Sequence, residues 1–329
     1  MAVAPARAQF SWPELDHLTV GAFGGSPVPL STVTALPARM PQLRLYDAYG
    51  LTETSCAASC SPTFRADNAV RAVQASRLGG PEGLEVVDVS PPQPGPGQIL
   101  IDVDHAGANF GDTHQAAGTY MVGRQLPFVL GSEVVGRVSG TTRRVYAATD
   151  RGGYAEQVVA DAHLVFDLAD DIDDGTALAL GLTGLTAWHL LRTSARLAPG
   201  ESVVVHAAGG GVGTIALQLA RAWGAGRIIA TASTPEKRSL ALRLGADVAV
   251  DPTVGGLLRT LRAANDGRLV DVVLEMAWGR VFTHSLLALA PFGRLVTYGS
   301  ASGQQPRPIP PGELLARRTT GKLVLDTRH

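Results

Sequence analysis

Apolar positions along the chain fall into stretches of different rhythm. Past Asp174, the runs Val203–Ala207, Ile228–Thr231, Val248–Val250, Val270–Leu274 and Leu295–Tyr298 alternate with segments of helical spacing. Runs this rich in β-branched residues suit strands buried on both faces, and their alternation with helices predicts a doubly wound parallel sheet of the α/β class. Between Ala69 and about Phe166 the strands are short, as in Leu84–Val89, Ile99–His105, Val134–Val138 and Tyr154–Val159. Pro91, Pro92, Pro94, Gly95, Pro96 and Gly97 punctuate them, which predicts a compact all-β unit. Ahead of it, to about Phe64, stand a strand-like Leu18-Thr19-Val20, a turn at Gly24-Gly25-Ser26-Pro27, an apolar helix from Ser31 and a strand at Leu43–Tyr46. That stretch is too short to bury a core by itself. Polar Ser59–Asn68 reads as a linker. The expected organisation is a leading fragment over 1–65, a β domain over 66–185 and an α/β domain over 186–329.

Composition narrows the function classes. With 329 residues there is room for two or three domains. A hydrophobic content of 45% and a formal net charge of -1 give no drive toward nucleic acid or an anionic membrane, which leaves small molecules as the expected partners. No unbroken apolar stretch of about 20 residues could span a bilayer, and the N-terminus has no continuous apolar h-region, so the chain reads as soluble and cytoplasmic. Cys56 and Cys60 are too few for a disulfide framework or a four-cysteine zinc site.

The densest chemistry comes just after the first α/β strand. Ser202–Ala207 leads into Ala208-Gly209-Gly210-Gly211-Val212-Gly213, after which Ile215, Ala216, Leu219, Ala220 and Trp223 recur at helical spacing. Strand, glycine turn and helix in that order form a dinucleotide site. Glycines allow a tight turn and close backbone approach, while the helix N-terminus offers N–H groups and a positive dipole end to a pyrophosphate. The bland alternative is a purely structural turn.

Choice of dinucleotide is made after the next strand, where an NAD site commonly places an acid against the ribose 2′-hydroxyl. Here Ser233 and Thr234 precede Lys237 and Arg238. A hydroxyl plus cations suits a 2′-phosphate through charge-assisted hydrogen bonds, so NADPH is the expected cofactor. A solvated basic first turn of a helix is the alternative.

Several segments in order then resemble the medium-chain dehydrogenase/reductases, and within them the zinc-free quinone oxidoreductases, zeta-crystallins and polyketide enoyl reductases. They include Gly80–Val86, Ala106-Gly107-Ala108-Asn109-Phe110-Gly111-Asp112, Gly118-Thr119-Tyr120, Gly131-Ser132-Glu133, Gly152–Glu156, Leu182–Trp188 and His206–Gly213. The resemblance implies a GroES-like β domain beside a Rossmann domain, with the active site in the cleft between them. Asn109 and Ser132 stand where zinc-dependent members carry Cys and His, so no catalytic metal is expected. The reaction this implies is hydride transfer from NADPH to a quinone, an enone or an enoyl thioester. By the same resemblance Asn109, His114 and Tyr120 line the nicotinamide end, with Tyr120 able to donate to a developing oxyanion and Asn109 to position cofactor or substrate. As plain structure these three would be a turn residue, an exposed polar group and a rim aromatic. Thr183 and Thr186, Gly279 in Ala277-Trp278-Gly279, and Tyr298-Gly299-Ser300 carry over as cofactor contacts, and the resemblance favours Lys237 over Arg238 as the first partner of the 2′-phosphate, while Asp112 and Glu133 read as structural. Homodimers are common in the family.

Two departures temper this expectation. The connection Ser139–Arg143 is shorter than the family usually has, and the chain stops at His329 where family members continue, which predicts an incomplete Rossmann domain. The leading stretch instead resembles adenylate-forming acyl-CoA synthetases, through Gly24–Pro27 and Tyr49-Gly50-Leu51-Thr52-Glu53-Thr54-Ser55. In that family the tyrosine–glycine pair lies against adenine, the position of Thr52 meets phosphate and that of Glu53 helps hold magnesium. The alternatives to a reductase are therefore an NADPH-binding remnant without turnover and an AMP-binding ligase fragment.

Overall fold

The structure is a computed structural model that describes residues 20–23, 44–47, 69–120, 123–254, 256–305, 308–309 and 322–323. The helix expected from Ser31, the Ser59–Asn68 linker and the Tyr49–Ser55 motif lie outside the described residues. The chain divides after Gly181 into two compact units.

In the first unit β1 (Val20–Phe23) and β2 (Arg44–Asp47) pair in parallel. The rest is antiparallel. Strands β3 (Val70–Ala75), β4 (Leu84–Val89) and β6 (Phe128–Val129) form one small sheet with β3 in the middle. A second sheet takes the order β10-β8-β7-β5-β9, from β5 (Gln98–Ala106), β7 (Glu133–Val138), β8 (Arg144–Ala148), β9 (Gln157–Asp161) and β10 (Val165–Asp167). Alternate residues of these strands, among them Ile101, Val134, Val145, Ala147 and Val158, bury a common core. The short Ser139–Arg143 connection is a tight hairpin between β7 and β8, turned at Gly140 with φ +75°. Helix α1 (Phe110–Ala117) follows β5, and α2 (Asp174–Leu178) lies near the end of the unit. One strand sits later than its pattern predicts. Residues 154–156, expected to open it, bond instead to β3, with Tyr154 O accepting the Val73 N–H at 2.8 Å, the Glu156 N–H donating to Arg71 O at 3.0 Å and Ala155 bridging Ala72. The ladder with β5 therefore starts at Gln157, and the Tyr154 hydroxyl donates to the Asp112 carboxylate at 2.7 Å.

The second unit holds a parallel sheet in the order β13-β12-β11-β14-β15-β16. Its strands are β11 (Ser202–Val205), β12 (Arg227–Thr231), β13 (Val248–Val250), β14 (Val270–Glu275), β15 (Leu289–Thr297) and β16 (Lys322–Leu323). Helices α3 (Leu185–His189), α4 (Gly211–Ala222), α5 (Pro235–Arg243), α6 (Leu257–Ala264) and α7 (Gly279–Ala288) connect or flank them. Because successive strand side chains point to opposite faces, Val203 and Val205 join Leu217 and Ile228 in one core. Val204 joins Ile229, Leu261, Phe282 and Leu286 in the other. The strand order reverses at β11 and β14, and ligands of such sheets bind at that switch point, beyond the carboxyl ends of the strands. Strand β15 begins earlier than Leu295. Its first part carries Phe292 at φ +65° and a register irregularity against β14, which breaks the apolar pattern by which the strand would have been read. Among the described residues no helix is long and apolar enough to cross a membrane.

His206, just past β11, is 1% exposed and bridges Thr231 Oγ1 at 2.9 Å and Ser285 Oγ at 2.8 Å. Burial lowers its pKa from the ordinary 6.5 to about 4. Between those values the unfolded chain binds a proton that the folded chain refuses, so stability falls as pH drops through the window and levels off below about 4. We expect this imidazole to remove on the order of 3 kcal/mol of stability across that range. Urea unfolding at about pH 7 and pH 5 checks it. His206→Gln should show a flatter dependence, and parallel slopes in the two proteins would contradict the assignment.

Candidate functional site

The glycine turn is shaped by what it must let in. Gly210 caps α4 in an extended conformation, and Ala207 before it takes φ +49°. A Cβ on Gly213 would lie 2.5 Å from the Ala207 carbonyl oxygen and 2.7 Å from Ala208 Cα, so only glycine lets the helix start against the end of the strand. Gly209 faces the stem of Lys237, whose Cβ and Cγ would stand 2.9 Å from an added methyl, and Gly211 faces Thr183 Cγ2 at 3.1 Å. Val212 is partly buried against the Leu217 core. The first turn of α4 thus presents backbone N–H groups at the switch point of the sheet.

The turn after β12 lies beside it. Thr234 caps α5, its hydroxyl accepting from the Lys237 N–H at 3.3 Å, and Ser233 is exposed. The two cations that the sequence places side by side part company here. Lys237 lays its stem on Gly209. Arg238 Nη1 donates to the Ala232 carbonyl at 2.8 Å, the Ser233 carbonyl at 3.0 Å and Asp251 Oδ2 at 2.9 Å.

Past β14 and β15 the chain makes two further turns. Glu275, 0% exposed, accepts the N–H groups of Ala277 at 2.8 Å and Trp278 at 2.9 Å on its Oε1. Burial pushes its carboxyl above the usual range. Trp278 at φ +65° and Gly279 at φ +58° are held in the left-handed region, and the indole N–H donates to Thr297 Oγ1 at 2.9 Å. Tyr298 is half-buried, its phenol pushed up by burial and then by the Glu275 charge. Gly299 and Ser300 come next, with the N–H of Gly303 donating to Ser300 O at 2.9 Å. Thr186 Oγ1 donates to the Leu182 carbonyl at 2.6 Å, which commits that hydroxyl to its own helix. Pattern reading missed Glu275, although an acid closing the apolar run of β14 is a signal for it.

In the first unit, Asn109 and Ser132 meet two buried acids, Asp112 and Glu133, while His114 and Tyr120 have other neighbours. Asn109 Nδ2 donates to Glu133 Oε1 at 2.9 Å, and Tyr146 OH donates to Glu133 Oε2 at 2.9 Å. Asp112 accepts from Ser132 Oγ at 3.0 Å, Tyr154 OH at 2.7 Å and the Asn109 N–H at 2.8 Å. Burial raises the Asp112 carboxyl, and raises the Tyr146 phenol together with the Glu133 charge. His114 Nδ1 lies 2.7 Å from Thr119 Oγ1, with its ring edge-on to Phe110 at 5.0 Å. Tyr120 is 38% exposed, and its ring edge lies 3.6 Å from where a Cβ on Gly111 would be.

Comparison with known proteins decides what this arrangement belongs to. The alcohol dehydrogenase GroES-like domain matches residues 95–170, and a domain described as zinc-binding dehydrogenase matches residues 211–324. A quinone oxidoreductase of Pseudomonas aeruginosa is 38% identical over 242 residues, 70% of this chain and 74% of that protein. The human quinone oxidoreductase is 34% identical over 242 residues, 70% of this chain and 73% of that one. The chain belongs to the zinc-free quinone oxidoreductases of the medium-chain dehydrogenase/reductase family. Among solved structures, the Escherichia coli quinone oxidoreductase complexed with NADPH aligns at TM-score 0.71 and 32% identity, over 78% of this chain and 80% of that one. The GroES-like unit and the Rossmann sheet read from the sequence are those of this oxidoreductase family. The family-model matches begin at residue 95, so neither they nor the described residues carry the likeness of the leading stretch to adenylate-forming enzymes.

The zinc in one domain's name finds no fit here. The Asn109 amide NH2 and the Ser132 hydroxyl are spent as donors, and each of the four oxygens of Asp112 and Glu133 already accepts a hydrogen bond. Among the described residues no cluster of three His, Cys, Asp or Glu could hold a metal ion. One consequence is testable. Asn109→Asp replaces a donor with an anion beside the buried Glu133 carboxylate and should cost about 2 kcal/mol or more in urea unfolding near neutral pH, recovered in part as pH falls. A neutral outcome would show that the amide is not what satisfies Glu133.

Proposed function

We propose that this quinone oxidoreductase binds NADPH at the β11–α4 turn and reduces a conjugated small-molecule acceptor: a quinone, an enone or an enoyl thioester. The observation that carries the reading is the packing of the Lys237 stem on Gly209, which ties a cation to the pyrophosphate turn. The relative from Escherichia coli solved with NADPH supports the same cofactor. Gly209–Gly213 and the first turn of α4 would hold the pyrophosphate, with Ser233 and Lys237 at the 2′-phosphate. Thr183, Thr186, Gly279, Tyr298, Gly299 and Ser300 would flank the remaining cofactor.

NADPH, when bound, supplies the hydride. The chain's own work is to orient donor and acceptor and to meet the charge that builds on the acceptor oxygen. Tyr120, with an exposed phenol, is the residue proposed to donate to that oxygen, and water replaces its proton afterwards. Asn109 and His114 support it: Asn109 anchors the start of α1 through Glu133, and the His114 carbonyl accepts the N–H of Tyr120 at 3.1 Å. A second copy of the chain is the protein partner that the family relation favours, which light scattering would test.

Two measurements test this reading. Lys237→Ala should weaken NADPH about tenfold or more in a fluorescence titration and leave NADH within about twofold, as expected for a lost charge-assisted phosphate contact. Equal losses for both cofactors would refute the 2′-phosphate assignment. Tyr120→Phe should lower kcat for NADPH oxidation by 9,10-phenanthrenequinone by at least about tenfold with NADPH affinity unchanged. An unaltered kcat would remove Tyr120 from the chemistry.

A further inference from the structure

Arg238 and Asp251 form a brace on the turn after β12. Arg238 Nη1 reaches two backbone carbonyls of the turn after β12, Ala232 at 2.8 Å and Ser233 at 3.0 Å, and then Asp251 Oδ2 at 2.9 Å. Asp251 stands directly after β13 and is fixed from its other side. Thr253 donates to its Oδ1 through the backbone N–H at 2.9 Å and the hydroxyl at 2.6 Å. With both carboxylate oxygens occupied and the guanidinium held by three acceptors, neither partner can swing away without breaking several bonds. The pair adds no net charge to a turn whose remaining nearby cation is Lys237.

We infer that Asp251 is a specificity-determining residue: by holding Arg238 on the turn carbonyls and keeping a negative charge beside Ser233, it limits how strongly this chain prefers NADPH over NADH. The inference rests on the reading that places the ribose 2′ substituent at Ser233 and Lys237. Asp251→Asn is informative because the amide has one acceptor oxygen where the carboxylate has two. That oxygen stays with the two Thr253 donors, the amide NH2 faces the guanidinium, and Arg238 is released next to Ser233. A repelling charge disappears in the same step. Both changes favour a phosphate over a hydroxyl.

The experiment is the affinity of the full chain for NADPH and for NADH, measured by fluorescence titration in the wild type, Asp251→Asn, Arg238→Ala and Lys237→Ala. Asp251→Asn should raise the NADPH:NADH affinity ratio roughly three- to fivefold at low ionic strength, the size of one exposed charge contact, and the gain should shrink with added salt. Arg238→Ala should lower the ratio by a similar factor, because Asp251 then keeps its negative charge beside the 2′-phosphate with no guanidinium to offset it. An unchanged or lower ratio in Asp251→Asn would overturn the inference. So would an Arg238→Ala variant whose ratio is unchanged or higher, and this variant carries the test if Asp251→Asn does not fold. Lys237→Ala keeps the two readings apart: if its ratio does not fall, the site of the 2′-phosphate is wrong, whatever Asp251 does.

Discussion

The nucleotide-binding half of the molecule depends on how closely α4 approaches the end of β11. An added methyl at Gly213 would sit 2.5 Å from the Ala207 carbonyl oxygen, far inside van der Waals contact. That approach aims the positive end of the helix dipole and its unpaired N–H groups at the point where the strand order of the sheet reverses. The neighbouring glycines serve different contacts. Gly209 makes room for the Lys237 stem and Gly211 for the Thr183 methyl, so the run is a set of three position-specific vacancies. Loss of any one would move a different neighbour.

Buried polar groups around this turn build its geometry. His206 is kept neutral by burial and ties β11 to β12 and α7 through Thr231 and Ser285. Glu275 gathers the N–H groups of Ala277 and Trp278, which holds two successive residues at positive φ past β14. A left-handed tryptophan is unfavourable by itself and persists only where its surroundings over-determine it, here through one carboxylate and the indole bond to Thr297. The first unit obeys the same logic. Asp112 and Glu133 occupy the interior with a hydroxyl, amide or backbone donor on every oxygen, and the donors include the two residues that replace metal ligands in zinc-dependent relatives.

How much of this could be read from the chain depended on the range of each interaction. Parallel strands were legible because β-branched runs announce burial on both faces, and the glycine turn because strand, glycines and helix are contiguous. The nearness of Lys237 to the glycine turn follows from its short offset from β12. The division of the Tyr154–Val159 run was not legible, since its first residues bond to β3 and its later ones to β5, both distant in sequence, and Tyr154 also reaches Asp112, 42 residues away. Ser285, 79 residues from His206, left no local trace either. The early start of β15 was hidden by Pro291, Phe292 and Gly293, which read as a break. The Tyr49–Ser55 motif falls outside the described residues, and its resemblance stands on sequence alone.

Lys237 and Arg238 show why adjacency in sequence misleads about a site. Consecutive residues on a helix point about 100° apart, so two neighbouring cations in the first turn of α5 cannot both face one phosphate without an awkward reach. One must look toward the glycine turn and the other away from it. The structure takes that division to its end, with the Lys237 stem against Gly209 and Arg238 clamped between two carbonyls and Asp251. The two charges of this basic pair therefore have different surroundings, one stem on the glycine turn and one guanidinium held by two carbonyls and an acid. Here that acid stands one residue beyond β13, the strand that pairs with β12 and must lie beside the turn in any sheet of this order.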